Sequence, residues 1–268
     1  MTTTSRGQIR FDDGARYERY MGIWSRLAGD RFLDWLAPPP GLDWLDVGCG
    51  NGAFTQALIA RCAPARVYGI DPSAAQLAHA RTRLDVDAAH LLVGDAMALP
   101  FPAASVDALV MPLVIFFVPE PARGVAEMAR VGRPGALVSA YAWDMPGGGF
   151  PYHALQARLR AQGVAVPAPP SPEASRLDVL QALWAGAGLC EVRTHSIEVR
   201  RTFADFDDYW QTVLGAPSVG PQLARLRPDE AAQFAAEVRA ELPLDPANGT
   251  ITLGARAHAV AGRVPAGA

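Results

Sequence analysis

Three acidic residues, each following a short apolar run, carry the clearest chemical signal in this chain. Asp46 precedes a turn reading Gly48-Cys49-Gly50-Asn51-Gly52, Asp71 closes Gly69-Ile70-Asp71-Pro72-Ser73, and Asp95 opens Asp95-Ala96-Met97-Ala98-Leu99-Pro100. Glycine at alternate positions removes Cβ atoms and permits positive φ, so backbone N–H groups can approach a ligand at the start of a helix. A carboxylate some twenty residues further on has the lone pairs to hold two vicinal hydroxyls. The chemistry implied is the binding of a nucleoside-bearing cofactor. Gly48, Gly50 and Ala53 also satisfy the loose dinucleotide pattern G-x-G-x-x-[GA], with Asp71 near the distance expected for its ribose acid. The turn alone therefore leaves two cofactor classes open. Asp71 and Asp95 also have a purely structural alternative, since Asp routinely caps helices and fixes turns.

The elements that must position these residues alternate in type. Trp44 to Val47, Val67 to Ile70, Ala89 to Val93, Val106 to Met111 and Ala136 to Trp143 read as strands, with helical patterns at Ala53 to Cys62, Ala74 to Leu84 and Pro121 to Val131. This rhythm predicts a doubly wound parallel α/β sheet, whose ligands sit beyond the carboxyl ends of its strands. Ahead of it, residues 1–40 read as a helical arm in which Tyr17, Tyr20, Met21, Trp24 and Leu27 share a face until Pro38 to Pro40 stop the helix. Residues 41–200 read as the core, with a further helix at Arg176 to Ala187 and a strand at Leu189 to Ile197. Residues 201–248 read as a helical cap inserted before the last strand, and 249–268 as that strand, Thr250 to Val260, and a tail.

Composition narrows the function. The chain has 268 residues, half of them apolar, which is ample for a sizeable core. All 24 basic residues are arginine and the net charge is −3, so no global field favours nucleic acid or an anionic membrane. The three cysteines, Cys49, Cys62 and Cys190, are odd in number and far apart, which fits reduced thiols in a cytoplasm and no metal site. The start lacks the apolar stretch of a secretory signal, and the run Ala108 to Val118 is well short of a membrane span.

Several ordered motifs resolve the cofactor choice. Asp46 with the glycine turn, Asp71 and Asp95 at two further strand ends, Phe101-Pro102-Ala103-Ala104-Ser105-Val106-Asp107, and Glu127-Met128-Ala129-Arg130-Val131-Gly132-Arg133-Pro134-Gly135 occur in one order. From about Trp44 to Trp143 the chain resembles the class I S-adenosylmethionine-dependent methyltransferases, particularly the small-molecule branch that includes the ubiquinone and menaquinone biosynthesis enzymes. Departures are mild: Asn51 where Thr is frequent, Gln76 where an apolar residue usually faces adenine, and Ala136 where Gly is common. The resemblance implies a mostly parallel, seven-stranded Rossmann-like sheet and S-adenosylmethionine as cofactor, with S-adenosylhomocysteine as product. Gly48, Cys49, Gly50 and Gly52 would meet the methionine portion, and Asp46 would position the turn or the ammonium group. Asp71 and Pro72 would lie at the ribose. Gln76, Asp95, Ala96 and Met97 would lie at adenine, and Met111 and Pro112 on the sulfonium side. Tyr17, Tyr20 and Trp24 would close over the cofactor.

The acceptor implied is a small, partly apolar molecule. Tyr141, Trp143, Phe150, Phe206 and Trp210 are the expected contacts, with Phe203 to Leu242 as a roof and Met145-Pro146-Gly147-Gly148-Gly149-Phe150 as a movable lid. The aromatic insertion would equally serve a homodimer. His153, in the loop after the fifth strand, and Asp144 are the candidate general bases, each with a structural alternative. Asp205, Asp207 and Asp208 resemble a metal cluster, but acids are favoured in the first turn of a helix. The rival readings are a non-catalytic cofactor-binding regulator and an NAD-type oxidoreductase.

Overall fold

The computed structural model describes residues 18–85, 89–216 and 219–266. Tyr17 lies outside them. A π-helical turn at Glu18–Gly22 leads into α1 (Ile23–Leu36), which ends where Ala37 turns left-handed at φ 45 just before the prolines. The core then alternates: β1 (Asp43–Val47), α2 (Ala53–Cys62), β2 (Arg66–Asp71), α3 (Ala74–Arg83), β3 (His90–Val93), β4 (Val106–Pro112), α4 (Pro121–Val131) and β5 (Gly132–Trp143). Next come α5 (His153–Ala161), α6 (Leu177–Gly186), β6 (Cys190–Phe203), three helices α7 (Phe206–Leu214), α8 (Gly220–Leu223) and α9 (Pro228–Glu241), and last β7 (Ile251–Arg263).

The seven strands form one sheet in the order β3-β2-β1-β4-β5-β7-β6. All neighbours are parallel except β7, which runs antiparallel to both β5 and β6. The order reverses between β1 and β4, and at such a point the loops leaving the two strands diverge and open a crevice. Central β1 is buried along its whole length, as a parallel strand covered on both faces must be. Strands β6 and β7 extend past the expected Ile197 and Val260. In the first the reason is strict alternation over Ile197 to Phe203, whose inward residues are buried and outward ones exposed.

At the amino ends of β1, β2, β4 and β5, charge ties the strand starts together. Arg66 grips the buried Asp43 through two bonds of 3.0 and 2.9 Å, and Arg133 reaches Asp107 at 2.6 Å, while the Asp43 N–H donates to Asp107 at 2.9 Å. Over the sheet, α1 packs through Phe32 onto Phe54 of α2, and Arg193 of β6 stacks on Trp35 at 4.2 Å and donates to the Leu36 carbonyl.

Two expectations fail at the fold level. His153, expected in the loop after the fifth strand, opens α5, where Leu155 and Leu159 repeat at helical spacing and bury together. The stretch Met145 to Phe150, expected as a movable lid, is tied down: Gly147 and Gly149 donate to Asp144, Arg256 donates to the Gly147 carbonyl at 3.0 Å, and the Arg256 N–H donates to the Gly149 carbonyl at 2.9 Å. A Cβ on Gly149 would lie 2.4 Å from the Arg256 carbonyl oxygen. These glycines serve close packing rather than movement.

Candidate functional site

The carboxyl ends of β1, β2 and β3 bring the glycine turn, Asp71 and Asp95 together. Both Gly48 and Cys49 donate backbone N–H to the Ile70 carbonyl, at 2.8 and 2.9 Å, so the turn hangs on the end of β2. Gly48, Gly50 and Gly52 all have positive φ. At Gly48 the absent side chain also matters sterically, since a Cβ there would lie 2.5 Å from Val114 Cγ2. At Gly50 a Cβ would meet nothing within 4 Å, so this part of the turn borders open space. Cys49 is buried against Gly69 and its thiol pKa is driven upward by burial and by the charges of Asp46 and Asp71, which makes it a packing residue rather than a nucleophile.

Asp71 links two of these segments. Its Oδ2 accepts from the Gly50 N–H at 3.0 Å and its Oδ1 from the Ser73 N–H at 2.8 Å. Burial pushes its pKa up while those two N–H groups pull it down. The actual helix cap is Ser73, whose hydroxyl accepts from the Gln76 N–H. Each Asp71 oxygen has a second lone pair beyond the backbone bond it accepts. That remaining capacity, beside the open space at Gly50, fits a ligand with two adjacent hydroxyls. Asp95 is exposed, accepts from the Met97 N–H at 2.8 Å, and follows Gly94, whose N–H donates to the Asp71 carbonyl. Ala96, Met97 and Gln76 are partly exposed near these ends, and Pro72 is exposed.

Asp46 is fully buried. Thr55 of α2 donates to its Oδ2 at 2.6 Å, while Oδ1 has no protein partner. Burial raises its pKa from 3.8 to about 7, with the Thr55 bond opposing and the Asp71 charge adding. With no exposed surface, it ties the end of β1, where the turn begins, to α2.

A cavity of about 330 Å³ opens beyond β4 and β5. Leu113, Phe116, Phe117 and Trp143 border it, and Tyr20 and Met21 of the arm close one side. The segment after β4 joins it to the glycine turn: Val114 covers Gly48, and Leu113, next in chain, borders the cavity. Leu113 is held at φ 58, a left-handed conformation costly for a branched side chain, by its N–H donating to the Tyr141 carbonyl at 2.7 Å. Such strain persists only where surroundings enforce it and is frequent at functional sites.

Several expected contacts lie elsewhere. Tyr141 is buried between Phe32 and Phe54, at 4.7 and 5.7 Å, with Gly29 leaving room for its hydroxyl, so α1 and α2 cover it; Trp143, two residues on, passes their edge and reaches the cavity. The side chain of Met111 is fully buried and its methyl end lies against Gly124 of α4, and neither Met111 nor Pro112 borders the cavity. Trp24 is also fully buried. Its indole N–H donates to the Tyr152 hydroxyl at 3.1 Å, which places it behind the cavity wall. Tyr20 does border the cavity, stacked on Tyr152 at 4.5 Å.

Phe206 and Trp210 do not border it. They stack on each other at 5.6 Å, and Trp210 meets Phe234 of α9 at 6.3 Å, so the insertion's aromatics satisfy one another. The wall expected of residues 203–242 is supplied instead by 143–173, including Phe150 and His153. Asp144 is not placed to act as a base, because Arg256 holds it at 2.6 Å, Gly147 donates to it, and His258 lies 3.9 Å away. Asp205 caps the start of α7 by accepting from the Asp208 N–H, and Asp208 accepts from the Ala204 N–H, so these acids are engaged in local backbone bonds. Among the described residues no helix is long and apolar enough to cross a membrane.

Gln156, Arg160 and Tyr152 were not anticipated. The first two border the cavity from α5. Tyr152 carries the wall: besides receiving the Trp24 N–H, its hydroxyl donates to the Tyr20 carbonyl at 3.0 Å, and burial pushes its pKa up to about 12. The spacing of His153, Gln156 and Arg160 around Leu155 and Leu159 is the signal that could have found this helix and its inward polar row.

Residues 45–140 match the methyltransferase domain family. Over 114 residues the chain is 35% identical to the ubiquinone/menaquinone biosynthesis C-methyltransferase UbiE of Cereibacter sphaeroides, covering 41% of this chain and 46% of that protein. Over 123 residues it is 32% identical to the malonyl-[acyl-carrier protein] O-methyltransferase of Pectobacterium atrosepticum, covering 46% of this chain and 47% of that protein. It thus spans about half the length of these curated relatives. Phosphoethanolamine N-methyltransferase 2 of Haemonchus contortus, solved in complex with S-adenosyl-L-methionine, shares the fold with a TM-score of 0.58 at 16% identity, over 95% of this chain and 57% of that one.

Proposed function

We propose that the chain, whose residues 45–140 match the methyltransferase domain family, is a class I, S-adenosylmethionine-dependent methyltransferase that transfers a methyl group to a small, partly apolar acceptor seated in the cavity beyond β4 and β5. The observation that carries this reading is the shared wall: Val114 packs on Gly48 of the cofactor turn while Leu113 borders the cavity. Two binding spaces separated by one residue can hold donor and acceptor in line, and alignment supplies roughly 7–11 kcal/mol of such a barrier in favourable cases.

When bound, S-adenosylmethionine supplies an already activated methyl group on a positive sulfonium. The protein's part is to bind, align and keep water away. Asp71 and the open turn at Gly50 would hold the ribose end, with Asp95 and the Ala96 N–H at the base. Asp46 acts through the turn, which it fastens to α2 by Thr55. Phe116, Trp143 and Tyr20 exclude water from the cavity. Of the two candidate bases only His153 borders it, and that imidazole would take a proton from an acceptor that must lose one. The family match ends at residue 140, before the residues that form most of the cavity wall, so the acceptor is read from the wall itself.

Calorimetric titration with S-adenosylhomocysteine tests the cofactor half. The wild-type protein should bind it, and Asp71→Ala should bind it at least about tenfold more weakly, given roughly 1.5–3 kcal/mol per hydrogen bond to a charged group. Binding of NAD with none of S-adenosylhomocysteine would overturn the proposal, as would unchanged affinity in a folded Asp71→Ala. Transfer of radiolabelled methyl to small phenols, amines, quinones and acids tests the catalytic half, and silence across all of them would leave a cofactor-binding protein without turnover.

A further inference from the structure

Apart from Glu173 at the border, the charged and strongly polar side chains of the cavity wall lie along one line. His153, Gln156 and Arg160 follow one another on α5 at intervals of three and four residues, the spacing of a single helix face, and all three border the cavity. Around them stand Phe116, Phe117, Trp143 and Phe150. Among the described residues the Arg160 guanidinium has one hydrogen-bond partner, Oε1 of the buried Gln156 at 3.3 Å, and it meets no carboxylate. The neighbouring arginine of the same helix is different: Arg158 is held by Glu237 at 2.6 Å and by Glu241. Glu173, the acid on the cavity border, is itself opposed by Arg176 at 3.8 Å.

An arginine left without an acid beside an aromatic space has donors available to an anionic ligand. Gln156 occupies one Nη2 donor and holds the planar fork at the rim, which leaves the remaining donors to meet two oxygens side by side. We infer that the cavity takes an amphiphilic acid, with an apolar or aromatic body against Trp143 and Phe116 and a carboxylate at Arg160, and that Arg160 sets this specificity with Gln156 as its positioning residue. The inference rests on the reading of this cavity as the acceptor site and narrows its substrate class.

Three probes of one shape test it by calorimetry on the full chain: 2-naphthoate, 2-naphthamide and 2-naphthylmethylamine, each titrated with and without saturating S-adenosylhomocysteine. Naphthoate should bind roughly tenfold more tightly than the neutral amide, the range expected of a charge-assisted pair at a partly exposed site. Arg160→Met keeps the aliphatic stem and should bring acid and amide within about twofold of each other with the amide unchanged. Trp143→Ala should weaken both alike and place the probes in this cavity. Equal affinities, tighter binding of the amine, a preference that survives in Arg160→Met, or no binding of any probe would each overturn the inference. Absence of S-adenosylhomocysteine binding would count against the methyltransferase reading alone, because the acid preference is measured without the cofactor product as well.

Discussion

Replacing Asp46 by Asn should change how stability depends on pH rather than how the chain folds. The carboxyl is fully buried, one oxygen accepts from Thr55 at 2.6 Å and the other has no partner, and its pKa rises from 3.8 to about 7. A carboxyl whose folded pKa exceeds its unfolded one binds more protons in the folded state between the two values. Its contribution is therefore whole below about pH 4 and is lost as the pH rises through about 7. A shift of this size corresponds to about 4 kcal/mol, as an upper bound. Asn keeps an acceptor for Thr55 and cannot ionise, but its amide brings buried donors to the place of the unpartnered oxygen, at a cost of about 1–3 kcal/mol at every pH. At pH 4 the variant should be the less stable protein; by pH 8 the difference should shrink or reverse. Urea unfolding of the ligand-free chain, followed by tryptophan fluorescence at intervals from pH 4 to 8, measures both curves. Parallel curves would refute the assignment of a buried, proton-holding Asp46.

Two further outcomes follow from close contacts. Gly48→Ala adds a Cβ 2.5 Å from Val114 at φ +78 and should cost about 1–3 kcal/mol and weaken S-adenosylhomocysteine binding, whereas Gly50→Ala, with nothing within 4 Å, should cost only the backbone conformation, about 1–2 kcal/mol; equal melting temperatures for Gly48→Ala and wild type would reject the contact. Asp144→Ala strips Arg256 and the Gly147 N–H of their acceptor and should lower stability by about 1–3 kcal/mol with the affinity for S-adenosylhomocysteine unchanged, and an unaltered thermal transition would show that residues 145–150 are held by something else.

The convergence of the residues proposed for the cofactor is legible in sequence and the wall of the proposed acceptor cavity is not, for a physical reason. Asp46, the glycine turn, Asp71 and Asp95 each sit where a parallel strand stops, and a turn at a strand end is a local event that residue types within a few positions announce. Their convergence then follows from sheet order. The cavity wall is assembled from the arm, the segment after β4 and residues 143–173, which share no local pattern. Aromatic residues at helical spacing in α7 suggested a roof, but the same spacing serves equally to pack Phe206 and Trp210 against α9. Tyr141 and Trp143 are alike in sequence and lie on one face of β5, and only the position of α1 and α2 decides that the first is covered. The glycines at 147–149 read as freedom until Arg256, more than a hundred residues away, is seen to need their closeness.

The Tyr152 hydroxyl joins partners 128 and 132 residues earlier in the chain. Contacts of such separation close only after the intervening sheet has formed, so the arm and α5 should be among the last pieces to settle. What settles last with little local support is generally what loosens first in the finished protein. Passage of small molecules past Tyr20 would thus have to break these two bonds and the Tyr20–Tyr152 stack, and would leave the strands that carry Asp71 and the glycine turn undisturbed.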